Sequence, residues 1–203
     1  METEITFRIL FWIQLGILLV IRGVSAFRVR QAGERLTPDK AAVQREGAAT
    51  YAFRIAAFLI LVAFLVSYAI YPAWMADLSI LLPVWLRWVG FILGLAGLGL
   101  LAWSQAELGR QWSTNLQLRQ DHRLVTSGPY ATIRHPLYTS MLIFEIGFAL
   151  LTANWIFVAF AGLVTAGLWL RVPKEEQMML EQFGEEYRGY MKHTHRFFPF
   201  GRQ

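Results

Sequence analysis

Stretches of apolar sequence long enough to cross a bilayer as helices constrain this 203-residue chain more than any other feature. A spanning helix needs roughly 20 mostly apolar residues, with about 17 as the lower end, because about 30 Å of hydrocarbon is crossed at 1.5 Å per residue. Phe7 to Ile21 is one such run, with Arg8 and Gln14 as its strongly polar members. It lacks the basic start and small-residue cleavage site of a signal peptide, so it is expected to stay in the mature protein. Ile55 to Tyr71 carries no charge, stops at Pro72, and has Arg54 at its entrance, where a long side chain can reach headgroups. Val84 to Trp103 carries Gly90, Gly94, Gly97 and Gly99, which let a neighbouring helix approach closely. Leu137 to Leu170 is interrupted only by Thr152, Ala153 and Asn154, the pattern of a tight helical hairpin. Trp155 and Trp169 stand where interfacial aromatics belong.

The expected fold is therefore all-α: one polytopic membrane domain over residues 1–203, with five transmembrane helices at about 6–22, 54–71, 84–104, 137–151 and 155–171. Composition agrees, with 56% of residues hydrophobic and 16% charged, which excludes a disordered tail and an ordinary cytosolic domain. The chain has no cysteine, so disulfides, thiolate nucleophiles and zinc–sulfur sites are closed to it, and no metal site is expected. Its net charge of +5 reads as loop topology rather than nucleic-acid binding. Lys and Arg collect after the first, third and fifth spans, whereas Pro72 to Pro83 and Thr152 to Asn154 hold none. The amino terminus is thus expected outside and the carboxyl terminus in the cytoplasm, the chain lying in a prokaryotic cytoplasmic membrane. Residues 22–50 read as a solvated basic loop attracted to headgroups, with a short helix beginning near Asp39 and including Ala41 to Arg45.

Function is expected in the cytoplasmic segments. Between Leu108 and Leu137, apolar residues recur among charges, and Leu116, Leu118, Leu124 and Val125 predict a short β-hairpin within 109–130, followed by a turn at Ser127-Gly128-Pro129. Next comes Arg134-His135-Pro136-Leu137-Tyr138. Pro136 biases His135 away from helical geometry and suits a helix start, where backbone donors beside Arg134 can meet a carboxylate. An Arg anchoring lipid phosphate beside a His that caps the helix fits those five residues equally well. The fifth span leads into Arg171-Val172-Pro173-Lys174-Glu175-Glu176. On a helix continuing past Gly184, Leu180, Phe183, Tyr187 and Tyr190 fall within roughly 40° of Glu176. A carboxylate on that apolar stripe needs a cationic or donor partner. The hairpin sets both constellations side by side, with Arg134 and Arg171 for anions, Glu175 and Glu176 for cations, and Tyr138, Tyr187 and Tyr190 for hydroxyls and aromatic faces.

At these residues the sequence resembles the isoprenylcysteine carboxyl methyltransferase family of integral membrane enzymes, in a short, prokaryotic-type form. The resemblance runs from Leu108 to Pro199 through Gly109 and Trp112, Leu124 to Tyr130, Arg134-His135-Pro136 with Tyr138, Arg171, Glu175-Glu176, Phe183-Gly184, Tyr187, Tyr190 and Arg196 to Pro199. Ser140 stands where the pattern has Gly. The resemblance implies that the chain binds S-adenosylmethionine from the cytosol and methylates a lipophilic acceptor from the bilayer, of prenylcysteine carboxylate type. The implied cofactor region is about 108–138 and 171–199, with Tyr130, His135, Pro136, Tyr138, Glu175, Glu176, Tyr187 and Tyr190 at the cofactor and Arg134, Arg171 and Glu176 at the reaction. A phospholipid or small-amine N-methyltransferase shares much of the motif. A membrane lipid-binding or scaffold protein is the non-enzyme alternative. Membrane lipids are expected partners under every reading. The span glycines leave the oligomeric state open, and Glu145, about eight residues into the fourth span, has no partner that the sequence names.

Overall fold

The computed structural model describes residues 2–31, 33, 44, 47–71, 73–109 and 123–199. They form a mostly helical protein. In chain order the elements are α1 (Glu2–Gln31), α2 (Ala48–Ile70), the short α3 (Ala73–Asp77), α4 (Val84–Leu108), a 3-10 turn (Gly128–Ala131), α5 (Pro136–Thr152), α6 (Trp155–Phe183) and α7 (Glu185–His193). Four helices, α1, α2, α4 and α6, are long and apolar enough to cross a membrane; α5 is apolar but shorter. Large apolar side chains such as Phe58, Ile92, Trp155 and Trp169 are exposed on the outside of this bundle, as expected where lipid is the solvent. The chain is an integral membrane protein.

α4 and α5 form the most intimate pair, and glycine is the cause. A Cβ on Gly97 would lie 2.6 Å from the Phe144 backbone nitrogen, and one on Gly90 would lie 2.7 Å from the Leu150 Cβ. Gly147 of α5 meets the backbone of α4 in the same way, so the two backbones touch where side chains would hold them apart. Gly94 instead admits Gln14 of α1, whose buried amide donates to the Phe91 carbonyl at 2.7 Å. Gly99 faces open space.

The apolar core lies between α1, α2, α5 and α6. Phe11 stacks on Phe148 with ring centroids 4.5 Å apart, and Tyr68 and Phe157 close around them. Toward the α5–α6 turn, Asn154 starts α6 by accepting from the Ile156 N–H at 3.0 Å while its amide donates to the Met75 carbonyl at 3.0 Å, satisfying a helix-start donor that would otherwise be orphaned. Buried Arg87 ties the same end together, donating to the Leu151 carbonyl at 3.0 Å and pairing with Glu4. The core and these ties fix the hairpin, so the opposite ends of α5 and α6 are held together.

Several expectations are corrected. Residues 22–31 are not loop: α1 runs to Gln31 and carries Arg22, Arg28 and Arg30 on the helix, since nothing in that stretch breaks helical hydrogen bonding. Helix formation does not continue past Gly184, which takes φ 53° as the joint between α6 and α7. Glycine adopts this conformation without the steric penalty of a Cβ. Residues 123–126 form no strand; the part of the expected hairpin with Leu116 and Leu118 lies outside the described residues, as does Trp112, and so does the short helix from Asp39 to Arg45 except for Gln44, which is helical.

Candidate active site

Three stretches of backbone meet at one end of the bundle. Pro136 lacks an N–H and occupies the first turn of α5, and His135 before it takes the non-helical φ −122°, ψ 56° that a following proline favours. After α7, residues 194–197 fold back as a strap parallel to residues 132–135. The His195 N–H donates to the Thr132 carbonyl at 2.9 Å, Arg134 N–H to the His195 carbonyl at 2.8 Å, and His135 N–H to the Arg196 carbonyl at 3.1 Å. Thr139 clamps the end of the strap by donating to the Phe197 carbonyl at 2.5 Å. Backbone donors ahead of α5 are therefore already satisfied by the protein.

Glu176 is the hub of this junction. It is 5% exposed and lies near the end of α6, opposite the start of α5. One carboxylate oxygen accepts from Arg134 Nε, His135 Nε2 and Arg196 Nε, each at 3.2 Å. The other accepts from Arg196 Nη2 at 2.5 Å. Arg134, also buried, continues inward and donates to the Met191 carbonyl at 3.0 Å and to the Thr194 carbonyl. A buried carboxylate requires such compensation, and two guanidiniums against one carboxylate leave the junction with an excess of positive charge. The Arg196 side chain is 42% exposed, so that excess reaches the surface. The His135 side chain makes no helix cap; it turns to Glu176 instead.

A second cluster adjoins the first. Tyr138 lies parallel to the His135 ring, centroids 5.5 Å apart. Its hydroxyl donates to Glu175 and accepts from Arg171 Nε at 2.9 Å. Arg171 and Glu175 are one helical turn apart on α6, so one phenol from α5 bridges two oppositely charged side chains of its neighbour. Tyr190 of α7 donates to the Tyr130 carbonyl at 2.6 Å and packs on buried Tyr187, centroids 5.8 Å apart. Burial pushes the Tyr190 hydroxyl up to about 12 against the nearby Arg134 charge, and burial likewise raises Tyr187. Both stay protonated at neutral pH.

All ten residues singled out in sequence therefore fall in this region. Pro136 sets backbone geometry, and the others contribute side chains. Arg134 and Glu176, read separately as an anion site and a cation site, face each other. Arg196 joins them as a direct partner of Glu176, a role no helical periodicity could reveal because the strap brings it back from beyond α7.

The description of known relatives fits this geometry. Residues 88–181 match the family model "Isoprenylcysteine carboxyl methyltransferase (ICMT) family". Those residues are similar to members of this family. Among curated relatives, a cobalt-zinc-cadmium resistance protein, CzcN of Cupriavidus metallidurans, is 34% identical over 116 residues, covering 56% of this chain and 54% of the relative. Protein-S-isoprenylcysteine O-methyltransferase B of Arabidopsis thaliana is 34% identical over 95 residues, covering 45% of this chain and 48% of the relative. The solved eukaryotic intramembrane Ras methyltransferase ICMT aligns with a TM-score of 0.54 at 28% identity, over 73% of this chain and 52% of that one. The chain spans about half the length of these relatives, and the matched span holds both helices that carry the Glu176 and Tyr138 clusters.

Proposed function

We propose that the protein is a membrane methyltransferase that binds S-adenosylmethionine at the junction of α5, α6 and the strap and methylates a lipophilic carboxylate of prenylcysteine type. The observation that carries this reading is the convergence of Arg134–Tyr138, Arg171–Glu176 and Arg196 into one polar cluster, at the end of apolar helices and largely inside the family-matched segment. Five spans, α5 included, put this end of the bundle at the cytoplasmic face, with the amino terminus outside.

The residues suit a nucleoside that bears both charges. Arg196 offers a half-exposed guanidinium, Glu175 a carboxylate, and His135, Tyr138 and Tyr190 aromatic faces. Tyr130 contributes a buried hydroxyl that has no hydrogen-bond partner among the described residues, and an orphaned buried polar atom is costly unless a ligand meets it. When bound, S-adenosylmethionine supplies an electrophilic methyl on a sulfonium. The protein's work is to orient and to exclude water. Arg171, steadied by Tyr138, aims an acceptor carboxylate that needs no deprotonation at neutral pH. Glu176, enclosed by two guanidiniums and an imidazole, holds Arg134 and the strap in place and is poorly suited to take a proton from an amine. That disfavours the N-methyltransferase alternative.

The test is methyl incorporation from labelled S-adenosylmethionine by purified protein in detergent, with a farnesylcysteine analogue and an amine-headgroup lipid as rival acceptors. Label in an alkali-labile ester on the thioether acid is expected. Label on the amine lipid, or none on either with no saturable cofactor binding, overturns the reading.

A further inference from the structure

Beyond the residues considered so far, a carboxylate from α4 reaches the same end of the molecule. Glu107 lies one residue before the end of α4, and its side chain packs against Gly128 so closely that a Cβ there would stand 2.9 Å from the Glu107 Cδ. Gly128 adopts φ 56°, a conformation that disfavours any other residue, so the turn both demands glycine and uses the vacant side to admit the carboxylate. Among the described residues Glu107 makes no hydrogen bond or ion pair, although it is half-buried.

Two residues after Gly128, Tyr130 is 7% exposed and its hydroxyl has no partner among the described residues. Burial raises that phenol well above its ordinary value, and Glu175, Tyr190, Tyr138 and Glu107 all add to the rise; the phenol is thus a neutral hydroxyl, two residues on from the turn against which Glu107 packs. Glu175 is tied to Tyr138, whereas Glu107 and the Tyr130 hydroxyl are not tied to anything described. Among the described residues the Tyr130 hydroxyl and the Glu107 carboxylate are thus left without partners, whereas the Glu176 carboxylate is matched on both oxygens.

We propose that Glu107 and the Tyr130 hydroxyl form a subsite for the ammonium group of a cationic ligand, which under the reading above is the α-amino group of S-adenosylmethionine. An ammonium brings several donors and a charge, and a carboxylate beside a phenolic oxygen supplies both acceptors and the opposite charge. A sulfonium has no N–H to offer those acceptors, and aromatic faces can serve it instead. The subsite rests on the cofactor reading and refines it.

Equilibrium dialysis in detergent separates the two. Labelled S-adenosylmethionine and an analogue lacking the α-amino group are titrated against wild type, Glu107→Gln and Tyr130→Phe, and the melting temperature of each ligand-free protein is measured. Both variants are expected to bind S-adenosylmethionine about tenfold or more weakly and the deaminated analogue as wild type does. Tyr130→Phe removes an atom that has no partner, so its ligand-free melting temperature should match or exceed that of wild type, and it carries the test even where Glu107→Gln fails to fold. Variants that bind S-adenosylmethionine like wild type, or that lose both ligands equally, overturn the subsite while leaving the cofactor reading intact. A wild-type protein that binds neither ligand overturns both.

Discussion

At the scale of single residues, the buried Glu176 carboxylate and the Arg134 guanidinium should be far more sensitive than their exposed neighbours. Glu176→Gln leaves Arg134 buried with its charge unanswered, and breaking such a pair costs about 3–5 kcal/mol. Arg196→Gln removes a half-exposed partner and should cost on the order of 1 kcal/mol. Denaturant titration in detergent ranks the two; equal costs would mean that Glu176 is not the hub. Tyr138→Phe severs the link between Arg171 and Glu175 without changing the size of the ring. Turnover should fall on the order of a hundredfold, with a smaller effect on stability, as steady-state methyl transfer beside thermal unfolding would report. The candidate residues were legible one by one because each is a charge, hydroxyl or ring at a helix end. Their pairing was not: the sequence shows that Glu176 needs a cationic or donor partner, and it offers both Arg134 and Arg171 without choosing between them.

At the scale of elements, the α4–α5 contact depends on particular glycines. Gly97→Ala forces a Cβ against the Phe144 backbone and should destabilise by about 1–3 kcal/mol, whereas Gly99→Ala, facing open space, should stay within about 0.5 kcal/mol of wild type. Thermal unfolding of the two variants side by side checks this, and equal losses would show that backbone approach is not what fixes the pair. Periodicity and hydrophobic length located α5 and the starts of α4 and α6 closely, but α2 begins at Ala48, ahead of the expected Arg54, and α6 runs on to Phe183, well past the expected Arg171. They did not locate the end of α1, because a helix can run past the hydrocarbon into water when no proline or glycine stops it. Nor did they find the break at Gly184: an interior glycine weakens a helix without necessarily ending it, and the decision rests with the packing of α7 through Tyr187 and of the strap on residues 132–135.

For the whole molecule, the charge asymmetry of the loops predicts an outside amino terminus and a cytoplasmic site. The chain holds no cysteine, so single substitutions report topology without background. Thr3→Cys should react with an impermeant maleimide in intact cells, and Lys192→Cys only after the membrane is opened. The reverse pattern would invert the proposed orientation and move the site to the other face.

Hydrophobic length and turn chemistry by themselves determined that this chain lives in a membrane as a helical bundle with a hairpin near its end, because lipid leaves every backbone group to be satisfied within the helices. The tertiary structure alone decided that Arg134 and Glu176 answer one another, that Arg196 returns along a strap to join them, and that Glu107 packs against the Gly128 turn leading to Tyr130. Those contacts join residues far apart in the chain, and their geometry follows from glycine-mediated packing and a backbone turn rather than from any local propensity.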